Sequence, residues 1–168
     1  MYTTGHAQHT GGSLVTKPKA HRSTVELSPS EGAKVLLVDD DFAIIDGVSD
    51  FLESEGFSVV PASNGIDALN QLRSGHRVDV IVLDVMMPIM DGWDFRAEQL
   101  ADPSLRDIPV VVISASGFSR DTLRQQLRAY EVLPKPLDLE GFLRTLKGIC
   151  GGSENGDNGS TSSSALSQ

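Results

Sequence analysis

Five polar side chains stand at the ends of short apolar runs, and together they carry the makings of a phosphoryl-transfer site. Val80-Ile81-Val82-Leu83 runs into Asp84, and Val35-Leu36-Leu37-Val38 runs into Asp39 and Asp40. Val110-Val111-Val112-Ile113 runs into Ser114, and Val132-Leu133-Pro134 into Lys135. A lone Asp after a strand ordinarily caps a turn; the other run ends are what argue against that reading for Asp84. Carboxylates gathered at one rim repel and raise one another's pKa, and a hard cation removes the conflict. Mg²⁺ suits such a place, because it prefers oxygen ligands and usually takes one or two carboxylates plus phosphate oxygens. An Asp set there can act as a nucleophile and hold a phosphoryl group as an acyl phosphate. The cation and Lys135 then offset charge on the phosphoryl oxygens, which is most of what phosphoryl transfer asks of a protein. Lys135 can pair with Asp84 or bind a phosphoryl oxygen. The Ser114 hydroxyl can donate to another, and the small Ala115 leaves access.

The chemistry depends on a scaffold that brings those ends to one edge. From Lys34 the chain alternates short apolar runs with amphipathic stretches. Ile44, Ile45, Val48, Phe51 and Leu52 recur at three- and four-residue spacing, which predicts a helix closed by Gly56. Strands follow over 57–62 and 78–83, with a helix between them bearing Ile66, Ala68, Leu69 and Leu72 and ending at Gly75. A third helix spans 93–100, entered through Asp91-Gly92 and ended near Asp102-Pro103. The stretch 119–130 predicts a polar helix in which only Leu123 and Leu127 recur, so its packing is thin. Pro134 confines the fifth strand to an edge. Asp138 caps a last helix carrying Leu139, Phe142, Leu143, Leu146 and Ile149. Alternating strands and helices specify an α/β fold, a doubly wound parallel sheet of five βα units. Right-handed crossovers leave the flavodoxin-like order 2-1-3-4-5 as the natural one. In that order strands 1, 3, 4 and 5 are neighbours, and their carboxyl ends form the crevice where open α/β sheets bind ligands.

Composition narrows the function classes. The 168 residues suffice for one domain with excess, expected as an N-terminal arm over 1–32, a domain over 33–150 and a Gly/Ser-rich tail over 151–168. A net charge of −9, from 23 acids against 14 bases, argues against a nucleic-acid partner. Cys150 alone allows no internal disulfide and fits a reducing compartment. The polar start is no signal peptide, and no apolar run approaches the ~18 residues of a membrane helix. These features predict a soluble cytoplasmic protein with no membrane partner.

Val-Asp-Asp after the first strand, Leu-Asp-Val-Met-Met-Pro-Ile-Met-Asp-Gly after the third, Ile-Ser-Ala after the fourth and Leu-Pro-Lys-Pro after the fifth resemble the receiver domain of bacterial two-component response regulators. The resemblance covers residues 34–149. It implies that Asp84 is the phosphoacceptor, becoming 4-aspartylphosphate. It implies that Asp39 and Asp40 hold Mg²⁺ together with Asp84, Asp40 being a direct ligand and the backbone carbonyl of Met86 another. Ser114 is then the switching hydroxyl and Lys135 the phosphate-sensing base, joined to Pro136 by a cis peptide. The implied partners are a sensor histidine kinase or phosphotransfer protein and a downstream protein of unknown identity. The protein would be a stand-alone signalling receiver, catalysing only its own phosphorylation and dephosphorylation. One departure stands out: the family often places an aromatic residue three before the lysine, where this chain has Val132, with Tyr130 two residues earlier.

Three other readings fit the same topology. A metal-dependent phosphatase with an Asp nucleophile wants a second Asp two residues on as general acid, and that position is Met86. A flavin-binding protein wants Ser, Thr or Gly around a phosphate after strand one, where Asp39-Asp40-Asp41 repels it. A non-phosphorylated pseudo-receiver usually lacks one of the acids or the lysine, and none is missing here.

Overall fold

Apolar runs without polar alternation need cover on both faces, and the computed structural model supplies it. It describes residues 32–115 and 117–151. The elements are β1 (Lys34–Val38), α1 (Phe42–Ser54), β2 (Ser58–Ala62), α2 (Gly65–Arg73), β3 (Val80–Asp84), α3 (Gly92–Ala101), β4 (Val110–Ser114), α4 (Arg120–Gln126), β5 (Glu131–Pro134) and α5 (Leu139–Gly151). The five strands are all parallel in the order β2-β1-β3-β4-β5, as expected.

Successive residues of each central strand serve opposite layers. Leu36, Val38, Ile81, Leu83, Val110 and Val112 face a core completed by Leu69, Phe95 and Leu123 from α2, α3 and α4. Val35, Leu37, Val80, Val82, Val111 and Ile113 face a second core closed by Leu52, Phe142 and Leu146 from α1 and α5. Every residue of β3 and β4 is buried, including the polar last residues Asp84 and Ser114. Both sheet edges carry a proline, Pro61 in β2 and Pro134 in β5, where a missing donor does least harm.

Helix starts follow the local chemistry. Asp41, Asn64, Asp91 and Ser119 are N-caps whose side chains accept backbone N–H groups of the first turn. Gly56, at φ 88, reverses the chain after α1. The strand and helix limits differ from the expected ones by a residue or two, except at α4. That helix, expected over 119–130, ends at Gln126, because Arg128 turns left-handed at φ 47 and Tyr130 N–H already bonds the Val110 carbonyl to enter β5. The arms expected over 1–32 and 151–168 lie outside the described residues, apart from Gly32 and from Gly151, which closes α5.

Two glycines test how tightly these helices sit. A Cβ on Gly92 would come within 2.6 Å of the Asp84 carbonyl oxygen and 2.9 Å of Val85 Cα, both backbone atoms. A Cβ on Gly47, in the middle of α1, would meet nothing within 4 Å. Gly92→Ala is therefore expected to cost about 1–3 kcal/mol and Gly47→Ala to gain roughly 0.4–1 kcal/mol. Urea denaturation checks both; equal midpoints for the two variants would refute the close approach of α3 to the end of β3.

Candidate functional site

The carboxyl edge gathers the expected side chains because β1, β3, β4 and β5 are neighbours and each ends one residue before or at a polar one. Asp39 follows β1 directly and is fully buried; its own N–H bonds the Ala62 carbonyl at the end of β2. Asp84 is the last residue of β3, opposite Ile113 of β4, and is 4% exposed. Asp40, one residue beyond Asp39, is exposed. Oxygens of Asp39, Asp40 and Asp84 all lie within 4.8 Å of one another, and they are a group of the kind that can hold a metal ion. An all-oxygen, all-carboxylate donor set suits a hard cation such as Mg²⁺ and not a soft one.

Lys135 crosses this cluster. Its ammonium donates to Asp39 Oδ2 at 2.7 Å and lies 3.1 Å from Asp84 Oδ1. The pairing with Asp84 is one of the two roles the sequence suggests; the shorter contact, to Asp39, has no signal in the sequence. The Lys135 N–H is bonded to the Ser114 carbonyl at 2.9 Å, which ties the strand ends of β4 and β5 together below the ammonium. Lys135 and Pro136 are joined by a cis peptide.

Each buried carboxylate oxygen has a donor. Asp39 Oδ1 accepts the Asp41 N–H at 3.0 Å, and Asp84 Oδ2 accepts the Met86 N–H at 3.2 Å. Asp40 has no hydrogen-bond or ion-pair partner among the described residues. Ser114 is buried, and its hydroxyl donates to the Ala115 carbonyl at 3.1 Å. A cavity of about 80 Å³ opens beside it, bounded by Phe118, Leu123 and Val132. Ser116, in the same loop, lies outside the described residues.

The loop from Val85 to Asp91 holds features that the sequence does not signal. Ile89 has φ 73, a left-handed conformation that β-branched residues rarely adopt, and its side chain is 79% exposed. Met86 is exposed while Val85 and Met87 are buried, so the loop is pinned at alternate residues. Met90 carbonyl accepts the Gly65 N–H at 3.0 Å, joining the loop to α2. Across the site, the rings of Trp93 and Phe118 meet edge to face with centroids 6.1 Å apart. An aromatic run or a repeated spacing would have flagged that pair; neither exists, since the two residues are brought together only by the packing of α3 against the β4–α4 loop.

Burial, as the largest cause, raises the Asp84 pKa above the ordinary carboxylate value; contact with Lys135 opposes it and the Asp39 charge adds to it. For Lys135, burial works to lower the pKa, but hydrogen bonds to Asp39 and Asp84 and their charges outweigh it, so the net shift is upward.

The comparisons with known proteins agree with this geometry. The family model of the response regulator receiver domain matches residues 35–147. The chain belongs to the response regulator receiver domain family. It is 36% identical over 118 residues to the transcriptional regulatory protein CpxR homolog of Haemophilus influenzae, covering 70% of this chain and 50% of that one. It is 31% identical over 117 residues to the probable transcriptional regulator ycf29 of Pyropia yezoensis, covering 69% and 52%. The chain thus spans about half the length of the curated relatives it matches. Among solved structures it superposes on the chemotaxis response regulator CheY4 of Vibrio cholerae with a TM-score of 0.63 at 32% identity, covering 70% of this chain and 98% of that one. The signal receiver domain of a histidine kinase from Syntrophus aciditrophicus gives 0.66 at 28% identity, covering 82% and 100%. No helix among the described residues is long and apolar enough to cross a membrane.

The raised Asp84 pKa has a consequence for stability. A carboxyl whose folded pKa exceeds its unfolded one takes up protons more readily when folded, so folding is favoured less as pH rises through that range. Asp84→Asn is expected to stabilise the protein at neutral pH in EDTA, with the gain fading as pH falls and both states become neutral. Denaturation of both proteins across that pH range measures it; a variant less stable at neutral pH would show that the Lys135 contact outweighs burial.

Proposed function

We propose that this receiver domain takes a phosphoryl group on Asp84, in the presence of Mg²⁺, from a histidine kinase or phosphotransfer protein, and thereby controls a protein partner. The carrying observation is the trio of carboxylates within 4.8 Å with Lys135 spanning Asp39 and Asp84. In the transfer an Asp84 oxygen attacks phosphorus, a P–O bond forms, and the P–N bond to the donor imidazole breaks. The imidazole leaves with the electron pair and takes a proton from solvent. Asp84 enters that step oriented, because Lys135 holds one oxygen and the Met86 N–H the other. Residues of this chain hold the cation as follows. Asp40 would be a direct ligand, since it is exposed and has no other partner among the described residues, and Asp39, which already holds Lys135, would support the site from beside it. Asp84 and the Met86 carbonyl complete the protein's share, and the bound Mg²⁺ supplies charge stabilisation at the phosphoryl oxygens.

After transfer Asp84 no longer carries its own charge, and Lys135, still on Asp39, is within reach of a phosphoryl oxygen. The Ser114 hydroxyl exchanges the Ala115 carbonyl for a charged acceptor, a gain of roughly 1.5–3 kcal/mol. That rotation acts on Ala115 and the start of α4, where the cavity beside Phe118, Leu123 and Val132 leaves room. Only Leu123 is buried within the seven residues of α4, so α4 shifts at low cost. Val132 is already buried and small, and takes no part of the kind an aromatic residue takes in relatives.

We assign the receiver to residues 33–150 and read it as a cytoplasmic signalling protein rather than a turnover enzyme. Met86 stands where a phosphatase of this topology wants its general acid, and a thioether transfers no proton. The curated relatives named as transcriptional regulators are about twice as long as the matched segment, and a nucleic-acid partner is not part of this reading.

Intact mass after incubation with acetyl phosphate and Mg²⁺ should show one added phosphoryl group, labile to hydroxylamine and absent from Asp84→Asn and from EDTA-treated protein. Hydrogen exchange with beryllofluoride should change over 117–130 while 131–134 stay silent. Labelling of Asp84→Asn equal to that of the unaltered protein would overturn the assignment.

A further inference from the structure

Beside Trp93, α3 and the end of α4 leave a cleft of about 570 Å³ between them. Its α3 wall is the stripe Trp93, Arg96, Ala97 and Leu100, spaced as one face of a helix, and its α4 wall ends in Leu127 and Arg128. Among the described residues no acidic side chain lines it. Glu98 of α3 turns the other way and meets Arg73 of α2 at 3.8 Å.

Arg96 is 5% exposed and has no carboxylate within 4.0 Å among the described residues. Its guanidinium bonds the Leu127 carbonyl at 2.7 Å, the Arg128 carbonyl at 3.1 Å and Gln99 Oε1 at 2.6 Å. Gln99 passes the connection on to the carbonyls of Leu105 and Ile108. These bonds end α4 and explain why a polar pair sits in the core. They leave the positive charge without an ion of opposite sign, since carbonyls contribute only dipoles. Three of the five guanidinium N–H bonds are used, so two remain. Arg128 is exposed at the rim and likewise has no carboxylate within 4.0 Å among the described residues. Its charge adds to burial in disfavouring the Arg96 cation. On a chain of net charge −9 this is a local positive spot beside an apolar strip.

We propose that the α3–α4 cleft is a docking groove for an amphipathic helical segment of a partner protein, with apolar residues against Trp93, Ala97 and Leu100 and a carboxylate against Arg96 and Arg128. Charge complementarity selects the sign, because a like-charged partner would add a third cation to two that already repel. The wall from Trp93 to Ala101 runs about 12 Å, the rise of two helical turns, which matches a helix laid in a groove. The overall negative charge of the chain does not prevent this, since screening confines its field to about 8 Å at physiological ionic strength. Which partner carries the segment bears on output, and in that respect the inference builds on the signalling reading above; the groove itself does not require phosphorylation.

The test uses the full, unphosphorylated chain and two fluorescein-labelled peptides of roughly 14 residues, with leucines at helical spacing flanked by Glu in one and by Lys in the other. Fluorescence anisotropy should give the Glu peptide an affinity about tenfold tighter than its Lys twin, and Arg128→Glu should remove that preference. Ala97→Trp, at an exposed position, should block the groove and weaken the Glu peptide similarly, with circular dichroism unchanged in both variants. Equal affinities for the two peptides, or a Glu peptide indifferent to both substitutions, would overturn the proposal. So would a shift in Trp93 emission with inorganic phosphate equal to that with the peptide, which would make this a small-anion site. A dimer in solution that Arg128→Glu dissociates would place a second copy in the groove and overturn it too. Failure of phosphoryl labelling with the peptide preference intact would remove the signalling reading and leave the groove standing.

Discussion

Crowding of like charge at one rim is the constraint on which the structure turns. Asp39 and Asp84 are buried, Asp40 stands beside them, and their oxygens lie within 4.8 Å. Burial, and to a lesser extent the neighbouring Asp39 charge, disfavour the charged form of Asp84. Lys135 is the cation the fold itself provides, reaching across from the neighbour of β4 to touch two of the three carboxylates. The same arrangement that costs stability makes a group of carboxylates that can hold a metal ion, and in the proposed reading it gives up negative charge when Asp84 forms an acyl phosphate.

Everything around the rim serves to hold that cluster in place. The order β2-β1-β3-β4-β5 puts the ends of β1, β3, β4 and β5 side by side, and the Lys135 side chain reaches Asp39 across the two intervening strands, β3 and β4. Burial of β3 and β4 on both faces fixes the heights of Asp84 and Ser114. The N-caps Asp41 and Asp91 start the flanking helices immediately after the site loops, so the carboxylates are set on rigid elements and the variable backbone is confined to a few residues. Ile89, in its left-handed conformation, lies in one of those loops, where backbone strain is commonly found near function.

Most of the scaffold is legible in the sequence because its signals are local. Unbroken Val/Ile/Leu runs specify doubly covered strands, alternation with helices specifies parallel pairing, and a polar residue after each run marks the functional edge. Asp39, Asp40, Asp84, Ser114 and Lys135 stand at that edge as the run ends predict. What escapes a reading of the sequence is nonlocal. The Lys135–Asp39 contact joins residues 96 apart in sequence. The Trp93–Phe118 pair and the Arg96–Gln99 network depend on how α3 meets the β4–α4 and α3–β4 connections, which no periodicity encodes. The length of α4 differs from expectation for the same reason: its sequence tolerates a longer helix, and it stops because the chain must turn at Arg128 to enter β5 in register.

In this account Lys135 and a bound divalent cation share one set of carboxylates. Calorimetric titration of Mg²⁺ into the protein and into Lys135→Ala addresses that sharing without any phosphodonor. Removing the ammonium frees oxygens of Asp39 and Asp84 and deletes a repelling charge, so Mg²⁺ should bind the variant tighter, by roughly tenfold or more, since a unit charge ~4–5 Å from a divalent cation repels it by more than about 1 kcal/mol even at the dielectric of water. Affinity that is unchanged or weaker in Lys135→Ala would contradict the account.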